Sequence, residues 1–156
     1  GVLIYMAIYV VMNIGTFACI LSMRQRDGMV EDISELAGLS KTRPWMAFFL
    51  LLFMFSLAGI PPLAGFFGKF YIFVAAVNAG LVPLAVVGLV TSVVGAYYYL
   101  RIVKIMYFDD AAEGFEPVSR TQTIIMTASG LFVAFFVIFP APLLEGAEAA
   151  AAVLFP

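Results

Sequence analysis

Four long apolar runs, at residues 1–23, 44–79, 81–108 and 121–144, restrict what this chain can fold into. An apolar run of about 20 residues is long enough to cross the roughly 30 Å hydrocarbon core of a bilayer as a helix. Continuous runs of this kind lack the alternation of membrane barrel strands, and helices satisfy their own backbone polar groups in lipid. The sequence therefore predicts an all-α, polytopic transmembrane helical bundle that forms one membrane domain over residues 1–156.

The amino-acid composition supports a membrane protein and excludes several other classes. Hydrophobic residues make up 64 % of the chain and charged residues 12 %, against roughly 45–50 % and 25 % in soluble domains. With a single cysteine and no histidine, the sequence predicts neither a disulfide within the chain nor a metal or redox centre. The net charge of −2, without a basic patch, argues against nucleic acid as a partner. Because the chain starts inside an apolar run, we expect it to be a fragment of a longer protein.

The basic residues predict the orientation of the helices, because lysine and arginine concentrate on the cytoplasmic side of membrane proteins. All but one of them fall in two loops, the first after the first run and the second around the end of the third run and the start of the fourth. They are Arg24, Arg26, Lys41 and Arg43 in the first loop, and Arg101, Lys104 and Arg120 in the second. Both loops are therefore expected inside, with the N-terminus, the 78–83 hairpin and the tail after residue 144 outside.

The second run, 44–79, is too long for one straight crossing, since it would extend about 54 Å as a single helix. Two full crossings would place the two basic loops on opposite sides of the membrane. One crossing by a discontinuous helix, broken near 59–65, agrees with both observations. Pro61 and Pro62 predict the break because proline lacks the amide donor and disfavours helix in the residue before it, and Gly65 and Gly68 are expected to loosen the restart.

The remaining basic residue, Lys69, is the only charged residue in the second run. Counting back from residue 79 at 1.5 Å per residue places it about 15 Å deep, near the midplane. A charge there costs roughly 2.5–3.5 kcal/mol, which usually marks a functional residue. Burial disfavours the charged form of an amine and nearby water favours it, and broken helices at the midplane form ion sites in transporters. We therefore predict that Lys69 transfers protons or ions.

Two other interpretations of Lys69 remain open at this stage. The side chain reaches an interface, which its depth disfavours, or it pairs permanently with a buried acid. A single amine also cannot carry protons across about 30 Å of hydrocarbon, so any further relay groups must lie outside this sequence. The hydroxyl and amide side chains in the apolar runs are expected to form contacts between helices, with water in a channel as the alternative; they are Asn13, Thr16, Thr91 and Ser92.

Three segments carry a resemblance to a known family. The segments "MFSLAGIPPLAGFFGKFYIF", "TSVVGAYYYLRIVKIMYF" and "YVVMNIGTFACI" resemble the C-terminal part of the antiporter-like subunit N family of respiratory complex I. The resemblance implies a fragment of an antiporter-like fold, with a discontinuous helix in the second of two inverted repeats. It also implies that Lys69 is the family's lysine on the proton path, near its outer opening. Pro61, Pro62, Gly65 and Gly68 match the family's helix break.

The resemblance further implies a function, as a proton-translocating, non-redox membrane subunit of NADH:quinone oxidoreductase. No cofactor is then expected on this chain, whereas NADH, FMN, iron–sulfur clusters and quinone belong to other subunits. The expected partners are the lipid bilayer and other membrane subunits, including a neighbour like subunit M, in the inner membrane of a bacterium rather than of a mitochondrion. Subunit M typically has Glu where this chain has Lys69, which favours subunit N. Alternatives are a Mrp-type Na⁺/H⁺ antiporter, the photosynthetic NDH complex, and a purely structural packing segment.

Overall fold

The computed structural model describes residues 1–25, 28–29, 32–111 and 114–154. Within these ranges the chain is built almost entirely of helices, and a two-residue antiparallel ladder joins residues 24–25 to residues 28–29. Residues Ile33–Leu36 form a short 3₁₀ helix. The elements are α1 Val2–Leu21, β1 Arg24–Gln25, β2 Gly28–Met29, α2 Leu39–Thr42, α3 Pro44–Ala58, α4 Ala64–Asn78, α5 Val82–Phe108, α6 Arg120–Phe135 and α7 Ala141–Leu154.

The helices form a bundle in which α1 packs against α3, α4 and α6, while α5 lies at the edge against α3 and α4. The centre contains fully buried side chains from four of the helices, namely Ile8, Phe53, Met106 and Val133. The predicted all-α bundle with one discontinuous helix is confirmed.

Two of the described helices are long and apolar enough to cross a bilayer, α1 and α5. At 1.5 Å per residue they extend about 30 Å and 40 Å. Two more helices, α3 and α4, are apolar but have 15 residues each. Together α3 and α4 cover the second apolar run, which agrees with one crossing by two half-length helices.

The interruption between α3 and α4 occupies residues 59–63 and begins with a glycine. Gly59 has φ +88°, in the left-handed region that glycine adopts without steric cost. Its amide donates to the carbonyls of Phe55 and Ser56, and the amide of Ile60 donates to the carbonyl of Phe55. This pattern is the Schellman motif that ends many helices. Pro61 and Pro62 follow it and prevent the helix from continuing.

The fourth apolar run differs from its prediction. We expected one helix over 121–144, whereas α6 ends at Phe135 and α7 begins at Ala141. The reason is Pro140, which cannot donate an amide hydrogen bond to the carbonyl of Phe136 and would clash with that carbonyl in a continuous helix. The tail after residue 144, expected to follow the membrane crossing, is therefore part of α7.

Candidate functional site

The ammonium of Lys69, on α4, lies against the end of α3 and the middle of α5. Its Nζ donates hydrogen bonds to the carbonyl oxygens of Leu57 at 2.8 Å and Ala58 at 3.2 Å, and to the hydroxyl of Ser92 at 2.6 Å. An ammonium has three hydrogens to donate, so these three acceptors match its capacity. The side chain points toward the interruption and not toward the outer end of α4, which argues against a lysine that reaches for the interface.

Leu57 and Ala58 are suitable partners because their carbonyls, at the C-terminal end of α3, have no hydrogen-bond donor within the helix. The last four carbonyls of a helix have no partner within that helix. In α3 the carbonyls of Phe55 and Ser56 are taken by the amides of the Schellman motif, and those of Leu57 and Ala58 are taken by Lys69. The carbonyl end of a helix also carries about half a negative charge, which favours a cation there.

A further hydrogen bond joins the two half-helices, and here α3 supplies the side chain while α4 supplies the backbone group. Ser56, which is fully buried on α3, accepts a 2.9 Å hydrogen bond from the amide of Gly65 in the first turn of α4. That amide also has no partner within its own helix. The hydroxyl of Ser56 in turn donates to the sulfur of Met12 on α1 at 2.9 Å. Each half-helix therefore supplies a side chain that satisfies the broken end of the other.

Replacing Ser56 by alanine is expected to destabilise the fold. The change leaves the amide of Gly65 without an acceptor in a buried position, and such a loss costs about 1–3 kcal/mol. The measurement is thermal unfolding of the detergent-solubilised full-length protein. Thr16→Val is the matched control, because the Thr16 hydroxyl donates to the carbonyl of Met12 four residues earlier in the same helix and its removal strands no amide. Equal melting temperatures for the two variants would contradict the proposed cap.

An open cavity of about 400 Å³, with apolar walls and several polar side chains, lies on one side of Lys69, between α1, α4 and α5. Tyrosine and threonine side chains contribute hydroxyl groups to its wall. The polar residues that line it are Tyr5, Tyr9, Lys69, Thr91, Ser92 and Tyr99. A cavity of this size with several polar groups is able to hold water.

A second, more apolar cavity of about 650 Å³ lies on the other side of Lys69, along α4 and α5. On α4 its lining extends from Phe66 to Asn78, the last residue of the helix. This distance is about 18 Å along the helix axis. The cavity thus connects the level of the ammonium with the end of α4 that precedes the 78–83 hairpin.

The structure places the residues singled out in the sequence in different positions around this site. Pro61 and Pro62 lie in the interruption, whereas Gly65 and Gly68 lie beyond it, inside the first turns of α4. Lys69 is half-buried and occupies the centre of the site. Within the described ranges the salt bridge joins two other residues, Lys104 and Asp109, at 2.7 Å, so Lys69 has no carboxylate partner there.

Sequence reasoning missed Ser56 and did not identify the partner of Ser92. Ser92 was expected to contact a neighbouring helix, and it does, but its partner is the ammonium of Lys69. Ser56 gave one usable signal, a hydroxyl three residues before the break in an otherwise apolar helix. Both partners are distant in the sequence, and no local pattern specifies such pairs.

Comparisons with known proteins agree on the family. Residues 1–95 match the family model described as NADH:quinone oxidoreductase/Mrp antiporter, transmembrane. The chain is 60 % identical to the NADH-quinone oxidoreductase subunit N of Parvibaculum lavamentivorans, over 100 % of the chain and 32 % of the relative. It is 58 % identical to that of Paramagnetospirillum magneticum, with the same coverage. The chain spans about a third of the length of these curated relatives.

A solved structure is also similar. It is a chain of respiratory complex I from Thermus thermophilus, solved with bound aureothin, and it matches with a TM-score of 0.78 and 32 % sequence identity. The match covers 91 % of this chain and 33 % of the other. The fold of this chain therefore resembles that of part of a chain of respiratory complex I.

Proposed function

The chain belongs to the NADH:quinone oxidoreductase/Mrp antiporter transmembrane family, and on that premise we propose that it is part of a proton-translocating membrane subunit of NADH:quinone oxidoreductase. Lys69 is the group that binds and releases the proton. The proposal rests mainly on the position of its ammonium. This group donates to the carbonyls at the end of α3 and lies between two cavities. The names of the relatives support a complex I subunit N.

The environment of Lys69 contains opposing influences on its charge. The carbonyl end of α3 stabilises the ammonium, by about 0.3–2 kcal/mol for a cation at such a position. The surrounding hydrocarbon disfavours it, because a charge in the centre of a bilayer is costly. Both effects amount to no more than a few kcal/mol, so a modest change in the surroundings of Lys69 is enough to alter its protonation state. A group of this kind is suited to exchange a proton when its surroundings change.

The protonation state of Lys69 and the movement of its proton involve free energies of a few kcal/mol. A differential stabilisation of 1.36 kcal/mol changes proton affinity tenfold. Moving one charge against 100 mV costs about 2.3 kcal/mol. In our proposal, redox energy released on other subunits alters the water and the position of α3 near Lys69, and the lysine releases its proton in response.

The proposal includes the location and the partners of the chain. The NADH, FMN, iron–sulfur clusters and quinone bind to other subunits, and the chain contacts other membrane subunits, including a neighbour like subunit M. The membrane is the inner membrane of a bacterium, which agrees with the bacterial origin of the relatives. Relay groups beyond Lys69 belong to parts of the relatives that this chain does not span.

A Mrp-type Na⁺/H⁺ antiporter is the second candidate, because the family model includes both kinds of protein. The photosynthetic NDH complex is a further alternative within the redox-driven class. The experiment is purification of the full-length protein from its membranes. We expect redox subunits to copurify with it and the oxidation of externally added NADH to drive proton uptake into reconstituted vesicles. A protein that purifies without redox subunits and exchanges Na⁺ for H⁺ would instead be an antiporter.

A further inference from the structure

We propose that the hydroxyl of Ser92 transfers the proton between Lys69 and water in the adjoining cavity. This inference rests on the proposed function, since it assumes that Lys69 exchanges a proton. Nothing in the resemblance or in the names of the relatives assigns a role to Ser92. The observation behind it is the chemical difference between the three groups that contact the ammonium.

The three partners of Lys69 differ in what they can do once the proton leaves. A neutral amine has two hydrogens to donate and one lone pair that accepts. The carbonyls of Leu57 and Ala58 only accept, so they can keep the two remaining hydrogens. The hydroxyl of Ser92 both accepts and donates. Among these three partners, Ser92 is therefore the one that can donate to the lone pair of the neutral amine.

The reversal of this hydrogen bond is itself a proton transfer. In the charged state an N–H of Lys69 points at Oγ of Ser92, over 2.6 Å between the heavy atoms. The N–H bond breaks as a new O–H bond forms on Oγ, and the original Oγ–H bond breaks and releases its proton to a water molecule. The products are a neutral amine that accepts from Ser92 and a hydronium ion in the cavity. Charge and hydrogen atoms balance, and the reverse sequence recharges Lys69.

The position of Ser92 agrees with this role. Lys69, Phe73 and Ser92 line both cavities, so the pair forms part of the wall between them. The packing of α5 on α4 brings Ser92 to the level of Lys69. Phe73, one turn after Lys69 on α4, lies directly against Gly88, which is one turn before Ser92 on α5. A proton that reaches Ser92 from Lys69 is therefore next to space on either side of this wall.

The test compares two substitutions of similar shape in the full-length, assembled complex. Ser92→Thr keeps the hydroxyl and Ser92→Val removes it. The readout is the ratio of protons translocated to NADH oxidised in reconstituted vesicles, measured beside Lys69→Met. The difference between the wild-type ratio and the ratio of Lys69→Met defines the lysine-dependent part of the transport. We expect Ser92→Val to lower this part about tenfold, which is less than the usual 10²–10⁴-fold contribution of a proton-transfer group because water partly replaces the hydroxyl. We expect Ser92→Thr to retain most of it.

Two further variants complete the design. Ser92→Ala removes the same oxygen while occupying less space than serine, so it tests the hydroxyl where the larger valine prevents assembly. Thr16→Val removes a buried hydroxyl on α1 that lines neither cavity, and we expect it to leave the ratio unchanged.

The outcomes separate this inference from the proposed function. Normal transport by Ser92→Ala and Ser92→Val, together with deficient transport by Lys69→Met, would overturn the role of Ser92 and leave that of Lys69. Equal deficiency of the threonine and valine variants would also overturn it, because shape and not the hydroxyl would then matter. Normal transport by Lys69→Met would remove both proposals.

Discussion

In the full-length protein, Lys69→Met is expected to abolish the proton translocation that passes through this chain while the complex still assembles. Methionine has a similar length and adapts to irregular space, but it carries no exchangeable proton. A group that transfers protons usually contributes about 10²–10⁴-fold to the rate of its step. We therefore expect flux through this path to fall by at least about 10²-fold. The measurement is proton uptake per NADH oxidised in vesicles that contain the assembled complex.

Lys69→Arg separates proton exchange from a structural role of the positive charge. Arginine can donate to the carbonyls of Leu57 and Ala58 and interacts with the end of α3, but it stays protonated in proteins. If the charge only stabilises the helix interruption, the arginine variant should translocate protons normally. If the lysine must lose its proton, the arginine variant should be as deficient as the methionine variant.

Lys104→Met provides the matched control for the same chemical change. Lys104 lies near the end of α5 and pairs with Asp109 at the surface, with 65 % of its side chain exposed. Such an exposed pair contributes about 0–1 kcal/mol. We expect normal assembly and normal translocation. The role of Lys69 would be refuted by an assembled Lys69→Met variant that translocates as many protons per NADH as the Lys104→Met variant.

Some features of the site were predictable from the sequence because they depend on local chemistry. Two consecutive prolines cannot lie inside a continuous helix, so the interruption follows from Pro61 and Pro62 alone. Lys69 was identifiable as a candidate because it is the lone charge in a long apolar run and a charge in lipid is costly. The end of α6 also had a local signal, Pro140, which the apolar character of the surrounding residues obscured in our prediction.

Other features depend on how separate helices pack, and no local pattern contains that information. The Ser92 hydroxyl reaches Lys69 because of the register of α5 on α4, which Phe73 and Gly88 help to set. The carbonyls of Leu57 and Ala58 were predictable as unpaired groups at a helix end. Their partner was not, since Lys69 is 11 or 12 residues away and reaches them only after the chain folds back at the interruption.

Gly65→Ala is expected to have the largest effect on stability among single substitutions near the interruption. A Cβ atom at this position would overlap the backbone carbonyl of Ser56, which cannot rotate away as a side chain can. To relieve the overlap, α4 must move away from α3. We expect a loss of about 3 kcal/mol, at the upper end of the usual range for overpacking. The measurements are the melting temperature and the yield of assembled full-length complex.

The matched control lies one turn further along α4. A Cβ atom at Gly68 would lie 3.4 Å from Tyr5 and 3.5 Å from Ile8, which is ordinary contact. Because alanine has the higher helix propensity, by about 1 kcal/mol, Gly68→Ala should be neutral or slightly stabilising. The movement of α4 in the Gly65 variant also separates the amine of Lys69 from the carbonyls of α3, so any complex that assembles should translocate fewer protons. Wild-type stability of Gly65→Ala would mean that the two half-helices are not in the close contact on which the lysine site depends.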